Sequence, residues 1–270
     1  MNQTEQAQIF EKLHHSDGFI IPNPWDTGTA KMLAGVGFKA LATSSAGLAF
    51  SLGKLDGELS REEVLEHCKT ICNQVAIPVT ADLENGFGES PKDTAETIRL
   101  AAETGLVGGS IEDATGDANK PIYDFAHAVE RVTAAAEAAS EQPFKFMFTA
   151  RAENYLHGKH DLDDTILRLQ AFEKAGADVL YAPGLPNLEA IAAICSEVNL
   201  PLNVLAVGAL AKHSADELYA AGATRISLGS VLARNALGHL ALASQEMLNS
   251  GTFSFSKVMG GRADIDDHMT

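Results

Sequence analysis

The sequence predicts a single (β/α)8 barrel of the TIM type over residues 1–270, and three observations lead to this fold. Eight short apolar segments alternate with helical segments along the chain. The length suits the roughly 250 residues that eight βα units require. No proline-, glycine- or serine-rich linker divides the chain. An open doubly wound sheet is the alternative, but no G-x-G-x-x-G dinucleotide loop follows the first predicted strand.

The predicted strands are short apolar segments, each separated from the next by helical sequence. In chain order they are Phe19–Ile21, Ala40–Thr43, Val79–Asp82, Gly109–Glu112, Phe146–Thr149, Val179–Tyr181, Leu202–Leu205 and Arg225–Leu228.

Four segments share the same junction between a helix and the next strand. In each, an alanine- and glutamate-rich helical stretch reaches a glycine, and a short apolar strand follows. The glycines are Gly35, Gly105, Gly176 and Gly222. The residue after a helix often needs a positive φ, which glycine adopts without steric cost. We therefore expect these glycines to end their helices.

The opposite junctions, from strand to helix, carry capping signals. Ser60 and Ser214 are each followed three positions later by a glutamate, which is the capping-box pattern. Ser90 stands directly before Pro91, as expected of an N-cap followed by proline in the first helical turn. Helices are therefore predicted to begin at these three serines.

Charge and composition limit the classes of partner. The chain has 20 basic and 36 acidic residues and a formal net charge of −16. This argues against a nucleic-acid-binding surface, which needs a basic stripe, and disfavours binding to anionic membranes. A small acid as ligand would need a local positive site, built from arginine, a metal ion or helix N-termini.

Targeting signals and cysteines point to one compartment. The amino terminus has neither a basic start nor an apolar segment, so it does not read as a signal peptide. No apolar run reaches the roughly 18 residues of a membrane span. The three cysteines form an odd, sparse set, which fits a reducing environment. A cytoplasmic location is therefore predicted.

Acidic residues follow several of the predicted strands. Asp82 and Glu84 come at the end of the third strand and Glu112 at the end of the fourth, while Asp56 lies in the loop after the second. Barrel enzymes work at the carboxyl ends of their strands, so these carboxylates converge. Clustered anions raise each other's pKa unless a cation is present. Oxygen donors without paired His or Cys favour Mg²⁺ or Mn²⁺ over Zn²⁺.

Each of these features also has a plainer interpretation. Residues two apart on a strand share one face, but Glu84 could instead point to solvent as a loop charge. Arg151 could grip a carboxylate or phosphonate with two hydrogen bonds, or form a structural ion pair. The small residues Ser44–Gly47 could bind the same anion or simply make a turn.

Seven segments, in this order and spacing, resemble the isocitrate lyase/phosphoenolpyruvate mutase superfamily over nearly the whole chain. No single one is decisive. They are N-P-W-D (Asn23–Asp26), S-S-A-G (Ser44–Gly47), L-G-K-L-D-G (Leu52–Gly57), A-D-L-E-N-G-F-G (Ala81–Gly88), S-I-E-D (Ser110–Asp113), T-A-R (Thr149–Arg151) and P-L-N-V (Pro201–Val204).

The resemblance implies a (β/α)8 barrel that binds Mg²⁺ and a 2-oxo acid, and whose chemistry passes through a metal-bound enolate. By position, Asp82 is the direct metal ligand, and Asp56, Glu84 and Glu112 would fill its shell, mostly through water. Asp56, Arg151 and Glu112 are the catalytic residues that the resemblance implies. Arg151 would hold the 2-oxo acid end of the substrate.

The same resemblance implies a set of substrate contacts. Ser45, Gly47 and Leu48 would contact the substrate carboxylate, Trp25 would form part of the pocket wall, and Asn203 would lie on the far side. The proton donor or acceptor is left open between Tyr181, His157, His160 and His213.

Members of the superfamily also tend to exchange their last helix between subunits. The alanine- and leucine-rich run Val231–Leu248 is consistent with such a helix and with an ordinary eighth barrel helix. We therefore expect a homo-oligomer, either a dimer or a tetramer.

The sequence departs from the superfamily at one important loop. Isocitrate and methylisocitrate lyases carry K-K-C-G-H with a catalytic cysteine, whereas the segment after the fourth strand here reads A-T-G-D-A-N-K-P. Cys68, Cys72 and Cys195 all lie elsewhere. This argues against an isocitrate-type lyase.

A second departure is at Glu84, which stands where many relatives have aspartate. The longer side chain favours an outer position around the metal.

The predicted function is a Mg²⁺-dependent lyase or decarboxylase acting on a small 2-oxo acid or its 2-hydroxy-acid precursor. Cleavage of a carbon–carbon bond is favoured because nothing marks a phosphonate site. The first alternative is a phosphonate enzyme, either a phosphoenolpyruvate/phosphonopyruvate mutase or a P–C hydrolase. The second is a protein that binds a 2-oxo or dicarboxylic acid without turnover.

Overall fold

The structure, a computed structural model, describes residues 1–258 and 260–269 and contains eight strands that alternate with helices. The strands are β1 (Phe19–Ile21), β2 (Leu41–Ala42), β3 (Val79–Asp82), β4 (Gly108–Glu112), β5 (Met147–Arg151), β6 (Val179–Tyr181), β7 (Leu202–Leu205) and β8 (Arg225–Ser227). The helices are α1 (Gln3–Leu13), α2 (Thr27–Val36), α3 (Ser45–Ser51), α4 (Arg61–Cys72), α5 (Pro91–Ala102), α6 (Phe125–Ser140), α7 (Leu162–Lys174), α8 (Leu188–Glu197), α9 (Ala215–Ala220), α10 (Val231–Ser250) and α11 (Arg262–Asp266).

The eight strands are parallel and form one sheet in the order β1-β8-β7-β6-β5-β4-β3-β2. The two ends of this sheet approach each other, because the Ala42 N–H donates to the Pro22 carbonyl at 3.1 Å. Parallel strands with a helix after each one define the (β/α)8 architecture, so the predicted fold class is confirmed.

The strand bounds differ from the prediction where side chains of the site are placed. β5 runs on to Arg151 instead of ending at Thr149, because Arg151 remains paired with Glu112 on one side and Tyr181 on the other. The same row continues from Tyr181 to Asn203 and from Asn203 to Arg225. Five residues from neighbouring strands therefore form one continuous row across the barrel wall, running from the carboxyl end of β4 to the amino end of β8.

Three of the four predicted helix-ending glycines are confirmed. Gly105, Gly176 and Gly222 have φ values of 99°, 102° and 112°. The prediction for Gly35 is wrong, because α2 continues to Val36 and ends at Gly37, whose φ is 114°. A Cβ on Gly35 would stand 2.8 Å from Nδ1 of His268, so its small size serves close packing instead.

The predicted starts of three barrel helices are confirmed. Ser60, Ser90 and Ser214 are the N-cap residues of α4, α5 and α9, and each forms a reciprocal capping box with the acidic residue three positions later. These caps fix where each chain segment turns from the strand end into its helix, which positions the loops at the carboxyl end of the barrel.

The opposite end of the barrel is covered by the amino-terminal helix. Phe10 of α1 packs with Phe19, Ile21 and Met147 in a buried apolar cluster. His14, directly after α1, is also buried, at 4% exposure. The first helix therefore closes the barrel at the amino ends of its strands.

The last long helix is mostly exposed. Of the 20 residues of α10, Ala233 is buried, whereas several apolar side chains are open to solvent. These are Leu237, Leu240, Leu242, Met247 and Leu248. In the described part of the chain, no helix combines the length and the apolar character needed to cross a bilayer.

Candidate active site

A cavity of about 950 Å³ opens at the carboxyl ends of the strands and extends into the barrel. Polar and charged side chains from six of the strands and from the loops that follow them line it. They include Ser45, Asp56, Asp82, Glu84, Ser110, Glu112, Arg151, Glu153, Tyr181, Asn203, Arg225 and Ser227. The carboxylates predicted to converge are therefore brought to one place.

Arg151 stands at the centre of these carboxylates. Its Nη1 lies 2.9 Å from Oδ1 of Asp82, and its Nη2 lies 3.1 Å from Oε2 of Glu112 and 2.8 Å from Oε1 of Glu153. The guanidinium also lies over the ring of Tyr181, at 4.9 Å from its centroid. Burial lowers the pKa of Arg151, but the three carboxylates outweigh it, and the pKa stands above its ordinary value.

Asp82 joins Arg151 to the loop after β2. Its Oδ2 accepts a hydrogen bond from the Ser45 hydroxyl at 2.8 Å, and Oδ1 of Asp56 lies 3.4 Å from the same hydroxyl oxygen. Burial, followed by the charge of Asp82, raises the pKa of Asp56. Ser45 therefore lies between two carboxylates and has one proton to share between them.

Glu84 reaches the cavity by an unexpected route. β3 ends at Asp82, and Glu84 adopts a left-handed backbone with φ 49°. The rule that alternate strand residues share a face therefore does not apply. Its Oε1 is buried without a hydrogen-bond partner. Burial, then the charges of Asp82 and Asp56, raise the pKa of Glu84 to about 7.

A buried arginine holds the loop that carries Glu84. Arg131 of α6 is 1% exposed and donates hydrogen bonds to the carbonyls of Asn85 and Gly88, the latter at 2.7 Å. The Thr97 hydroxyl donates to the Gly86 carbonyl at 2.7 Å. A non-glycine residue with positive φ is strained, and these bonds to its neighbours keep Glu84 in that conformation.

Glu153 is the most deeply buried acid of the cavity lining, at 2% exposure, and Glu112 is partly buried beside it. Burial raises the pKa of each carboxyl, and although Arg151 opposes this shift, other carboxylates add to it. Glu153 was not predicted as a site residue. The sequence does contain a pattern that indicates it, because Arg151 and Glu153 at the end of β5 have the same spacing as Asp82 and Glu84 at the end of β3.

The segment S-I-E-D also contributes a structural anchor. Asp113 accepts hydrogen bonds from the Glu153 N–H at 2.8 Å and from Nη1 of Arg168 at 2.9 Å. Arg168 also donates to the Tyr123 carbonyl at 3.1 Å. Asp113 therefore ties the loop after β4 to the backbone of Glu153 in the loop after β5, and Arg168 of α7 holds Asp113 in place.

The predicted substrate contacts divide into two groups. Ser45 and Asn203 line the cavity, whereas Trp25, Gly47 and Leu48 lie outside its lining. The reason is that α3 begins at Ser45, so the N–H groups of Gly47 and Leu48 point into the helix and donate to Ser44. Binding roles for all five residues stay a prediction.

The candidate proton donors and acceptors are also separated. Tyr181 and His157 line the cavity, whereas His160 stacks on Tyr155 and His213 lies beside α9. Burial raises the pKa of Tyr181 to about 12, so its hydroxyl keeps its proton at neutral pH.

The three cysteines lie away from the cavity and keep their thiols protonated. Burial raises the pKa of Cys68 far above its ordinary value, that of Cys72 to about 12 and that of Cys195 to about 11. None of the three lines the cavity, and the loop after β4 is closed by a bridge between Ala114 and Ile122. The chemistry of the site therefore depends on oxygen and nitrogen groups.

The donor set fits a hydrated hard cation. In residues 1–258 and 260–269, no three His, Cys, Asp or Glu side chains lie close enough to ligate one ion together. Asp82, Glu84 and Glu112 nevertheless face one cavity, and Oε1 of Glu84 lacks a partner. Mg²⁺ binds oxygen and keeps several waters, so these residues suit an ion reached partly through water. Direct ligation by Asp82 stays a prediction.

Replacing Glu84 by glutamine is expected to flatten the pH dependence of stability in chelator-treated protein. The pKa of Glu84 is about 7 in the folded chain and close to its ordinary value when unfolded. The folded state therefore binds the extra proton between the two values, and stability falls as pH rises through this window. The midpoints of urea unfolding at about pH 5.5 and about pH 8, compared between wild type and Glu84→Gln, measure this pH dependence. Glu66→Gln, on the exposed face of α4, is the matched control. Equal pH dependence in wild type and Glu84→Gln would contradict the assignment.

The chain matches the phosphoenolpyruvate phosphomutase family model over residues 10–248. It is 53% identical to a Burkholderia cenocepacia J2315 protein provisionally described as a lyase or mutase. That crystal structure has a TM-score of 0.94, and the match covers 98% of this chain and 95% of that chain.

Two further relatives show the range of this similarity. A Burkholderia cenocepacia J2315 protein provisionally described as a phosphonomutase is 32% identical, with a TM-score of 0.84 over 93% of this chain and 100% of that chain. The 2-methylisocitrate lyase of Escherichia coli strain K12 is 30% identical over 195 residues, which cover 68% of this chain and 64% of the lyase.

Proposed function

Because the chain belongs to the phosphoenolpyruvate phosphomutase family, within the isocitrate lyase/phosphoenolpyruvate mutase superfamily, we propose that it is a Mg²⁺-dependent carbon–carbon lyase or decarboxylase. The substrate is a small 2-oxo acid or its 2-hydroxy-acid precursor. The observation that carries the proposal is the charge of the cavity, where five carboxylates line the same space as Arg151 and three of them contact it. They are Asp56, Asp82, Glu84, Glu112 and Glu153.

Such an excess of negative charge in one cavity favours binding of a divalent cation. Asp82, Glu84 and Glu112 would hold Mg²⁺, with Mn²⁺ able to satisfy the same donors, and Asp56 would contact its water shell. When bound, the ion supplies a Lewis acid that polarises the keto oxygen of the substrate and offsets developing negative charge.

Arg151 orients the acid. Its guanidinium has five N–H groups. Nε donates to Oε1 of Glu153 and Nη1 donates to Oδ1 of Asp82, while Nη2 lies within ion-pair distance of Glu112 and Glu153. One N–H on Nη1 is therefore left for a substrate oxygen. A fixed cation beside the position where negative charge develops stabilises the transition state without reorganisation.

Two other groups control protons near the substrate. The Tyr181 hydroxyl stays protonated, because burial raises its pKa to about 12, and it acts as a donor. The Ser45 hydroxyl donates to Oδ2 of Asp82 and can redirect its proton to Asp56. The carbanion end of the cleaved bond must receive its proton from such a group or from solvent, because no thiol lines the cavity.

A panel of C3-substituted 2-oxo and 2-hydroxy acids tests this proposal, with release of pyruvate or carbon dioxide as the readout. Turnover that requires Mg²⁺ and stops with chelator supports it. Turnover of phosphonopyruvate alone would assign the chain to phosphonate chemistry instead. Mg²⁺-dependent binding of oxalate without any product would indicate a binding protein.

We also propose that the chain assembles into a homo-oligomer, either a dimer or a tetramer, through α10. Leu237, Leu240 and Leu248 are 44%, 60% and 86% exposed on this helix. Burial of apolar side chains of this size favours association. The exchange of this helix between barrels, known among superfamily members, would cover them.

Leu240→Glu is expected to shift the oligomer to a monomer, because a buried carboxylate in an apolar contact is strongly unfavourable. Sedimentation velocity at micromolar concentration measures the change. Asn235→Glu introduces the same charge at an exposed position on the same helix, roughly 140° from both Leu240 and Leu248 around its axis, and should leave assembly unchanged. A monomeric wild type, or an oligomeric Leu240→Glu variant, would refute the role of α10.

A further inference from the structure

Arg225 is a buried cation whose partners are all neutral. It is 5% exposed and lies in the wall of the cavity. Its Nε donates to Oδ1 of Asn203 at 2.8 Å, its Nη2 donates to the Thr149 hydroxyl at 3.1 Å, and its Nη1 lies 3.3 Å from Nε2 of His14. Of the described acidic side chains, none is within ion-pair distance of Arg225.

A charged group in this position is unfavourable for the fold alone. Burial lowers the pKa of Arg225 to about 10. Barrel interiors are ordinarily filled by branched apolar side chains, which need no partners at this depth. An uncompensated buried charge is destabilising, so a neutral residue of similar size would stabilise the barrel more. A role beyond packing is therefore needed to explain this arginine.

His14 fixes the outer end of Arg225. Nδ1 of His14 lies 2.8 Å from the Phe10 carbonyl, which can only accept a hydrogen bond. Nδ1 therefore carries the proton, and Nε2 is left to accept from Nη1 of Arg225. Burial, then the charge of Arg225, lowers the pKa of His14 to about 3, so this arrangement holds over the whole neutral range.

Asn203 is oriented by the inner end of Arg225. Its Oδ1 accepts from Nε of Arg225, and its Nδ2 donates to the Ser227 hydroxyl oxygen at 2.9 Å. Rotating the amide by half a turn would place its N–H groups against the guanidinium N–H, which is repulsive. The amide nitrogen has two N–H groups, so a second one remains for the cavity that Asn203 lines.

We propose that Arg225 is a positioning residue that, through Asn203, presents an amide N–H to an anionic oxygen of the bound acid. The inference rests on the proposed function, because it takes Asn203 as a substrate contact. Asn203 also stands beside Tyr181 in the strand register, and Tyr181 stands beside Arg151. The N–H therefore faces the same acid as Arg151, from the neighbouring part of the barrel wall. A lysine could keep the charge at position 225 but not the planar set of donors that fixes the amide.

A double-mutant cycle on oxalate binding tests the inference. Calorimetry with oxalate and Mg²⁺ is carried out on wild type, Arg225→Met, Asn203→Ala and the double variant. Each single substitution is expected to weaken binding about tenfold, the effect of one hydrogen bond to a charged group. The double variant should be no weaker than Asn203→Ala, because Arg225 acts through that amide. Losses that multiply would overturn the inference and leave the proposed function standing.

Two further measurements separate positioning from folding. Arg225→Lys retains the buried charge and should also bind oxalate more weakly than wild type. If Arg225→Met does not fold, Arg225→Lys replaces it in the double-mutant cycle with Asn203→Ala. Phe172→Leu, in the core at 0% exposure and outside the cavity lining, should lower the melting temperature without changing the affinity for oxalate. Full oxalate affinity in Arg225→Lys would overturn the inference. Failure of the wild type to bind oxalate with Mg²⁺ would overturn both it and the proposed function.

Discussion

Replacing Asp82 by alanine is expected to abolish Mg²⁺-dependent binding of oxalate while leaving the fold intact. Asp82 ends β3 and contacts both Arg151 and Ser45, so it is the carboxylate that links the two sides of the site. Loss of a metal ligand should weaken binding by more than the roughly 100-fold typical of a residue outside the coordination sphere. Arg151 keeps Glu112 and Glu153 as partners, so little stability should be lost. Calorimetry and thermal unfolding measure the two properties.

Two companion variants make this result specific. Asp82→Asn keeps the shape of the side chain and removes its charge, and it should lose Mg²⁺-dependent binding as well. Asp163→Ala removes an exposed carboxylate from the first turn of α7 and should bind normally. Normal binding by Asp82→Ala would reject the assignment of the metal site.

Arg151→Met is expected to lose both catalysis and stability, with turnover reduced by a factor of about 1,000 or more. The substitution leaves Glu153 buried, and Asp82 and Glu112 partly buried, without their cation. Breaking a buried ion pair from one side costs about 3–5 kcal/mol in the free energy of unfolding. The loss should be greater at about pH 8 than at about pH 5.5, because protonation of Glu112 and Glu153 at the lower pH removes part of their uncompensated charge.

The pH dependence of Arg151→Met gives a second, independent readout. Arg151 opposes the burial-driven rise in the pKa of Glu112 and Glu153, so without the guanidinium these two pKa values rise further in the folded state but not in the unfolded one. The folded state then binds more protons, so the stability of the variant recovers as pH falls towards about 5.5. Urea unfolding at both pH values measures this, with Arg99→Met as the control, because the Arg99–Glu141 pair is exposed and such pairs contribute about 0–1 kcal/mol. Wild-type stability of Arg151→Met at the higher pH would contradict the electrostatic description of the site.

The sequence was sufficient to predict the barrel and four of the five carboxylates around Arg151 at its mouth, with Glu153 as the exception. This is because both depend on local patterns, namely apolar strands, capping boxes and charged residues placed directly after strands. Asp56, Asp82, Glu84, Glu112 and Arg151 all line the one cavity, as expected of residues at the carboxyl ends of parallel strands.

The remaining features depend on information that a local pattern does not contain. The contacts of Arg225 with Asn203 and His14 join residues 22 and 211 positions apart, and they follow from strand register and from the docking of α1. The inward N–H groups of Gly47 and Leu48 follow from the start of α3 at Ser45. The left-handed turn at Glu84 follows from hydrogen bonds made by α6 and α5 to the residues after it.

The backbone of Glu84 has a practical consequence for engineering. Glycine would adopt a φ of 49° more easily than glutamate does, and relief of such strain is worth on the order of 1 kcal/mol. A selection for heat resistance alone would therefore be drawn towards glycine at position 84. The more heat-resistant variants from such a selection would lack a carboxylate at the mouth of the barrel. Any such screen therefore needs ligand binding as a second criterion.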